Sequence, residues 1–217
     1  MSIITFDNLI FKENSYLGWT VMCRESGRNN PKISIPPSLL SGFVTNIAHE
    51  AFQADTFLEE VTIPAIIEKI GHHAFANCCY LGKVLFLTSQ ISLKLREKSF
   101  SNCQTIKEVQ INRPVVVEKD VFANCTSLRT VSGLFTSIGE KSFSNCRNLE
   151  SVCFESSVEI CETAFLGCSK LREFIVKKDI LGSIDFVKHL PRDIKIKCPA
   201  ESRLLDLIYD GYYVEVL

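Results

Sequence analysis

The sequence predicts a β-rich repeat solenoid, one coil wound from a short repeating unit with a parallel sheet along it. Two observations lead to that class, and a third permits it. Six phenylalanines, Phe52, Phe75, Phe100, Phe122, Phe143 and Phe165, recur at intervals of 23, 25, 22, 21 and 22 residues. Aliphatic residues recur at fixed offsets from each of them. With 46% of its 217 residues hydrophobic and 23% charged, the chain has ample material for a core. No uninterrupted apolar window approaches the eighteen residues of a membrane span.

The offsets define the unit. Five positions before each phenylalanine stand Ile47, Ile70, Leu95, Val117, Ile138 and Ile160; six after it stand Leu58, Leu81, Ile106, Leu128, Leu149 and Leu171. Nine after it come Val61, Val84, Val109, Val131, Val152 and Phe174. The eleventh position holds Ile63, Phe86, Ile111, Phe154 and Val176, with Gly133 as its one failure. Apolar residues at offsets nine and eleven alternate with polar ones, the pattern of a strand with one buried face. A lone unit of this size cannot bury that face. Stacked copies about 4.8 Å apart bury every column at once. Ala51, Ala74, Ser99, Val121, Ser142 and Ala164, just before each ring, are mostly small and suit a tight corner.

The run Ile63–Leu81, with Ile63-Pro64, Ile70-Gly71, Ala74-Phe75, Cys78 and Leu81 at their spacing, resembles the repeat of BspA-like leucine-rich-repeat proteins. The similarity extends over about residues 33–197. It implies a right-handed leucine-rich-repeat coil of about six full repeats of 21–25 residues plus terminal caps. Ala48, Arg96, Glu118 and Cys161 replace the glycine that Gly71 and Gly139 keep.

The ends should be capped, because a bare coil exposes a strand edge and half a core. Residues 1–44 read as an N-terminal cap and first partial coil, 45–197 as the solenoid and 198–217 as a C-terminal cap, all in one domain. Thr20–Cys23 and Lys32–Ile35 read as strands joined by the turn-rich Ser26-Gly27-Arg28-Asn29-Asn30-Pro31. Ile35-Pro36 mimics Ile63-Pro64, and about five extra residues around Ser38–Gly42 bulge from that coil. The register continues to Phe186, and Asp193–Lys197 supplies a last strand. Leu204, Leu205, Leu207 and Ile208 have helical spacing, and Tyr212–Leu217 alternates like an edge strand.

Five of the ten cysteines, Cys78, Cys103, Cys125, Cys146 and Cys168, fall three residues after a column phenylalanine. They read as buried thiols filling the role of small hydrophobes. Asn77, Asn102, Asn124 and Asn145 precede four of them and suggest an amide ladder or a tight turn. Unpaired thiols favour a reducing compartment. His49 and His72 share a column with His73 beside them, but the column continues as Glu97, Lys119, Glu140 and Glu162, a solvated face rather than a metal site. Asn124-Cys125-Thr126 is a formal glycosylation sequon whose cysteine should be buried.

A formal charge of −1 lacks the basic surplus of a nucleic-acid binder. Fingerprints for phosphate loops, dinucleotides, zinc proteases and kinases are absent. The expectation is a non-catalytic scaffold, without cofactor or metal, that binds a protein partner on its concave sheet face. Candidate contact residues are the outward positions Lys83, Leu85, Leu87, Gln110, Ser132, Leu134, Cys153 and Ile175. Leu85, Leu87, Leu134 and Ile175 are apolar where exposure is predicted, so either flanking loops cover them or they form a recognition patch. A monomer without membrane span is expected, cytoplasmic because the start lacks a secretory leader. By resemblance, a surface antigen or adhesin recognising host or matrix proteins is the alternative. A cysteine-dependent enzyme using Cys153 or Cys161 is the distant one.

Overall fold

The structure, a computed structural model, describes residues 2–14, 18–25, 27, 30–40 and 42–217. In chain order the strands are β1 (Ile3–Phe6), β2 (Leu9–Glu13), β3 (Trp19–Arg24), β4 (Lys32–Ser34), β5 (Ser38–Leu39), β6 (Gly42–Ile47), β7 (Glu60–Ile63), β8 (Lys69–Ile70) and β9 (Lys83–Phe86). They continue as β10 (Leu93–Leu95), β11 (Glu108–Val117), β12 (Thr130–Ile138), β13 (Ser151–Phe154), β14 (Val158–Ile160), β15 (Glu173–Val176), β16 (Ile180–Leu181), β17 (Lys195–Cys198) and β18 (Tyr213–Val216). The chain is a parallel-sheet solenoid with little helix. Two strand ladders run along it. The front ladder comprises β4, β7 and β9, then the first halves of β11 and β12, then β13, β15, β17 and β18. The side ladder comprises β3, β6, β8, β10, the second halves of β11 and β12, β14 and β16.

A third wall of turns carries the phenylalanines. Phe52, Phe75, Phe100, Phe122, Phe143 and Phe165 stack ring on ring, with centroids 5.0, 5.0, 5.3, 5.3 and 5.4 Å apart and planes within 11° of parallel. All six are buried, as are the aliphatic columns five before and six after them. Ladder register joins the columns residue to residue, for instance Ile47–Ile70–Leu95–Val117–Ile138–Ile160. Backbone groups in the turn wall are shared between coils. The amides of Phe75, Phe100 and Phe122 donate to the carbonyls of Ser99, Val121 and Ser142 on the next coil at 2.8, 3.0 and 2.7 Å. Alternate amides close turns within the coil, such as Ala76 to His73 at 3.0 Å.

That pattern needs a left-handed residue on each side of the ring. Two residues before it, Glu50, His73, Lys98, Asp120 and Lys141 have φ between 52° and 57°. Two residues after it, Asn77, Asn102, Asn124 and Asn145 lie between 58° and 62°, with Gly167 at 82°. Asparagine tolerates that conformation best among residues with a Cβ. Its amide also bridges coils: Asn102 donates to Asn77 at 2.9 Å and Asn145 to Asn124 at 3.1 Å. The expected ladder and the expected tight turn are both present.

Two irregularities have clear causes. Gly133 has φ +132°, and a Cβ there would lie 2.1 Å from the Ile111 carbonyl oxygen, so the column residue is omitted. Phe135, two residues on, is fully buried edge-on to Phe143 and Phe154 and fills the space. Beside it, β11 carries two more residues than β12 between register pairs Ile111–Gly133 and Val115–Phe135. Arg113 sits in that excess and is the largest fully buried side chain, 1% exposed. Its guanidinium donates to the carbonyls of Ile91, Ile67 and Pro64 at 2.9, 2.7 and 3.5 Å, tying three coils together. Burial lowers its pKa, with Glu68 opposing the shift, yet an arginine stays charged.

The first coil begins where the sequence placed it: Lys32, Ile33 and Ser34 register with Glu60, Val61 and Thr62. The bulge is a hairpin, β5 against β6, with Leu40 at its exposed tip. Ser26, Arg28, Asn29 and Ser41 of the expected turn and bulge lie outside the described residues. Before the coil, β1, β2 and β3 form an antiparallel meander on the end of the side ladder. At the other end Phe186 enters the core through a 3₁₀ helix, Asp185–His189, and stacks on Phe174 at 5.3 Å rather than extending the ring column. The last apolar run is also 3₁₀, Arg203–Ile208, capped by the Ser202 hydroxyl; β18 then adds one more storey in parallel on β17.

Phe122→Ala, in the middle of the column, is expected to cost about 3–5 kcal/mol in urea unfolding; a variant melting like the parent would remove this ring from the core. Arg113→Met removes the guanidinium donor from the Ile67 and Ile91 carbonyls, while that of Pro64 keeps the Ile67 amide, and should lower stability by about 2 kcal/mol or more, read from the same titration.

Candidate interaction surface

Outward positions of the front ladder alternate with buried ones, so each strand presents two or three side chains. One column runs Lys32–Glu60–Lys83, with ion pairs of 3.4 and 3.4 Å. The next runs Ser34–Thr62–Leu85 in the first three strands and Gln110–Ser132–Cys153–Ile175–Lys197–Glu215 in the remainder. Further pairs neutralise this face, Lys177 with Glu155 at 2.9 Å and Lys197 with Glu173 at 3.0 Å.

The eight candidate residues divide into two groups. Lys83, Leu85, Leu87 and Gln110 are exposed, with Leu85 at 37% and Leu87 at 46%; no loop among the described residues covers them. Ser132, Leu134, Cys153 and Ile175 are half-buried, and three of these share one column with Gln110. A break separates Lys83, Leu85 and Leu87 from Gln110 and the half-buried four, because no ladder pairs β9 with β11. A groove of about 330 Å³ opens there, lined by Lys83, Leu85, Phe86, Lys107, Gln110 and others. Phe86 belongs to a column expected to be buried, and the break leaves it half-buried. Ile91, 38% exposed, follows β9 in the same coil. Sequence reasoning missed both; the signal was the longest interval, 25 residues from Phe75 to Phe100, which marks an irregular coil.

The cysteine column does more than fill space. Each thiol donates to the carbonyl of the previous coil's phenylalanine: Cys78 to Phe52 at 2.9 Å, Cys103 to Phe75 at 3.1 Å, Cys125 to Phe100 at 3.3 Å, Cys146 to Phe122 at 3.2 Å and Cys168 to Phe143 at 3.1 Å. Alanine would fit but leave that bond unmade. Burial pushes the thiols of Cys78, Cys125 and Cys168 up to about 12 and those of Cys103 and Cys146 well above the ordinary value.

The ring column has six copies here, the thiol bonded back to the preceding coil has five and the asparagine of the turn has four. The family model for the BspA type leucine rich repeat region matches residues 45–172 in six copies, more than half of the chain. The chain belongs to the BspA-type leucine-rich-repeat family. Among solved structures, it is similar to a leucine-rich-repeat protein of Treponema pallidum at 18% identity and TM-score 0.53, covering 78% of this chain and 91% of that one. A leucine-rich cell surface protein of Faecalibacterium prausnitzii matches at 17% identity and TM-score 0.60, over 92% and 71%. A leucine-rich-repeat protein from Bacteroides capillosus matches at 23% identity and TM-score 0.49, over 61% and 99%. These likenesses concern the fold. No curated protein matches the chain.

This BspA-type solenoid places the three histidines as the spacing implied. His49 lies 6.2 Å from His72 and 6.1 Å from His73 between ring centroids. Two of their nitrogens are committed elsewhere: His49 Nδ1 bonds the His72 carbonyl at 2.9 Å, and His72 Nε2 accepts from Arg96. No cluster of three or more metal-ligating side chains occurs among the described residues. Cys153 is raised by burial, the reverse of what a nucleophile needs, and Cys161 is exposed. No helix is long and apolar enough to cross a membrane among the described residues.

The raised thiols predict an alkaline limit. Unfolded cysteines ionise near 9.0, whereas the native column stays protonated, so its stabilisation is complete below pH 9 and is lost as pH rises toward 12. Each thiol contributes a loss of about 1.4 kcal/mol per pH unit in that window. Thermal scans should show the melting temperature falling steeply from pH 9 upward; a flat profile to pH 11 would contradict the buried column.

Proposed function

We propose that the protein is a non-catalytic protein-interaction scaffold whose recognition surface is the front ladder around the break between β9 and β11. The observation that carries the reading is the exposed Leu85–Leu87 strip beside an open groove, on a face otherwise neutralised by its own ion pairs. Apolar side chains left open next to a concavity fit a desolvated anchor, while the charged columns around them fit a polar rim. The rigid coil needs little ordering on association, which favours affinity. Gln110, Ser132, Leu134, Cys153 and Ile175 continue the surface beyond the groove. A monomer presenting this face to a protein partner is the form we infer.

A second reading, a surface antigen or adhesin, is supported by the name of the Faecalibacterium prausnitzii structure, a leucine-rich cell surface protein. The two readings differ in location rather than in the surface used. Affinity capture of partners by the wild-type chain, followed by binding of the purified partner to variants, tests both. Leu85→Asp should weaken binding at least about thirtyfold with an unchanged melting temperature; undiminished binding would move the interface to another face.

A further inference from the structure

A second concavity lies on the side ladder, away from the front face. It has a volume of about 490 Å³. Its floor is backbone, because Ala48 and Gly71 are the small residues of their column; a Cβ on Gly71 would lie 2.6 Å from the Ala48 carbonyl carbon. Asn46 and Lys69, register partners on β6 and β8, form one wall. His49 and His72 form the other, and Arg96 closes the end.

The charge pattern here differs from that of the front ladder. There, neighbours alternate in sign; here Lys69 registers directly against Lys94, an unfavourable pairing of like charges. Lys94 is compensated by Glu118 at 3.3 Å. Lys69 has no ion-pair partner among the described residues. Arg96 is held rigid, with Nε and Nη2 on His72 Nε2 at 3.2 and 3.1 Å and Nη1 on Glu118 at 3.1 Å. Three other clefts include Asp185, Asp55 or Glu108, whereas no carboxylate lines this one; Glu118 and Glu50 reach its rim only through Arg96 and His49, and neither pairs with Lys69.

We propose that this cleft binds a tetrahedral oxyanion ester, a phosphate or sulfate group on a small organic body. Lys69 supplies the uncompensated charge, and the clamped Arg96 presents its remaining N–H bonds in a fixed direction. Donors on separate walls suit an anion with three acceptor oxygens. The volume exceeds that of a bare ion and leaves room for the organic body.

The test titrates the full chain at low chloride with glucose 6-phosphate and, separately, glucose 6-sulfate, using calorimetry and the imidazole NMR signals. Saturable binding that shifts His49 and His72 and leaves His189 unmoved is expected; the tighter arm assigns the ester. Lys69→Met, whose side chain is exposed in the fold, should weaken binding about ten- to a hundredfold without changing the melting temperature. Absence of saturable binding in both arms, or full affinity in Lys69→Met, would overturn the proposal.

Discussion

Everything in this molecule depends on each coil satisfying its neighbour. A unit of some twenty-two residues has too little interior to fold alone, and it leaves half its backbone groups unpaired. Both deficits are resolved across the same plane. The stacked phenylalanine rings fill the corner, their amides donate to the next coil, and the cysteine thiol returns a bond to the coil before. The left-handed residues flanking the rings from Phe52 to Phe143 are strained for anything but glycine or asparagine, and they persist because the intercoil bonds require them. Stability is therefore shared along the stack rather than held in any single repeat.

Much of this was legible in the sequence because stacking converts geometry into periodicity. The phenylalanine, aliphatic and cysteine columns all occupy the places their spacing implied, and the start of the first coil at Ile33 was readable from one dipeptide. What escaped were features that periodicity does not encode. Arg113 reads as an ordinary polar residue, and only the two-residue excess of β11 turns it inward to three backbone carbonyls. Phe186 keeps the interval but not the column, since a 3₁₀ turn redirects it onto Phe174. The strands β1 and β2 follow no repeat and pair antiparallel. On the candidate surface, the outward columns were foreseeable, but the break between β9 and β11 was not, because an interval of 25 residues announces an insertion without saying which ladder it opens.

The irregular coil is also where the molecule departs from self-sufficiency. Elsewhere many charges pair between neighbouring strands, as Lys177 does with Glu155 and Lys197 with Glu173. The coil from Phe75 to Phe100 leaves Leu85 and Leu87 exposed and Phe86 half-uncovered on the front, and Ile91 exposed before β10, while its Lys94 stands against Lys69 on the side. A solenoid of the BspA-type leucine-rich-repeat family thus varies its surface by local exception within a regular stack.

The central claim is that the coils share one dry interior and one network of intercoil bonds. Native-state hydrogen exchange of the column amides measures this most directly. Amides of Phe75, Phe100, Phe122 and Phe143, each bonded to the next coil at 2.7 to 3.0 Å, should exchange only through large cooperative openings, with closely matched free energies. Independent, rapid exchange of those four amides at unrelated energies would mean that the coils do not support one another, and the account would fail.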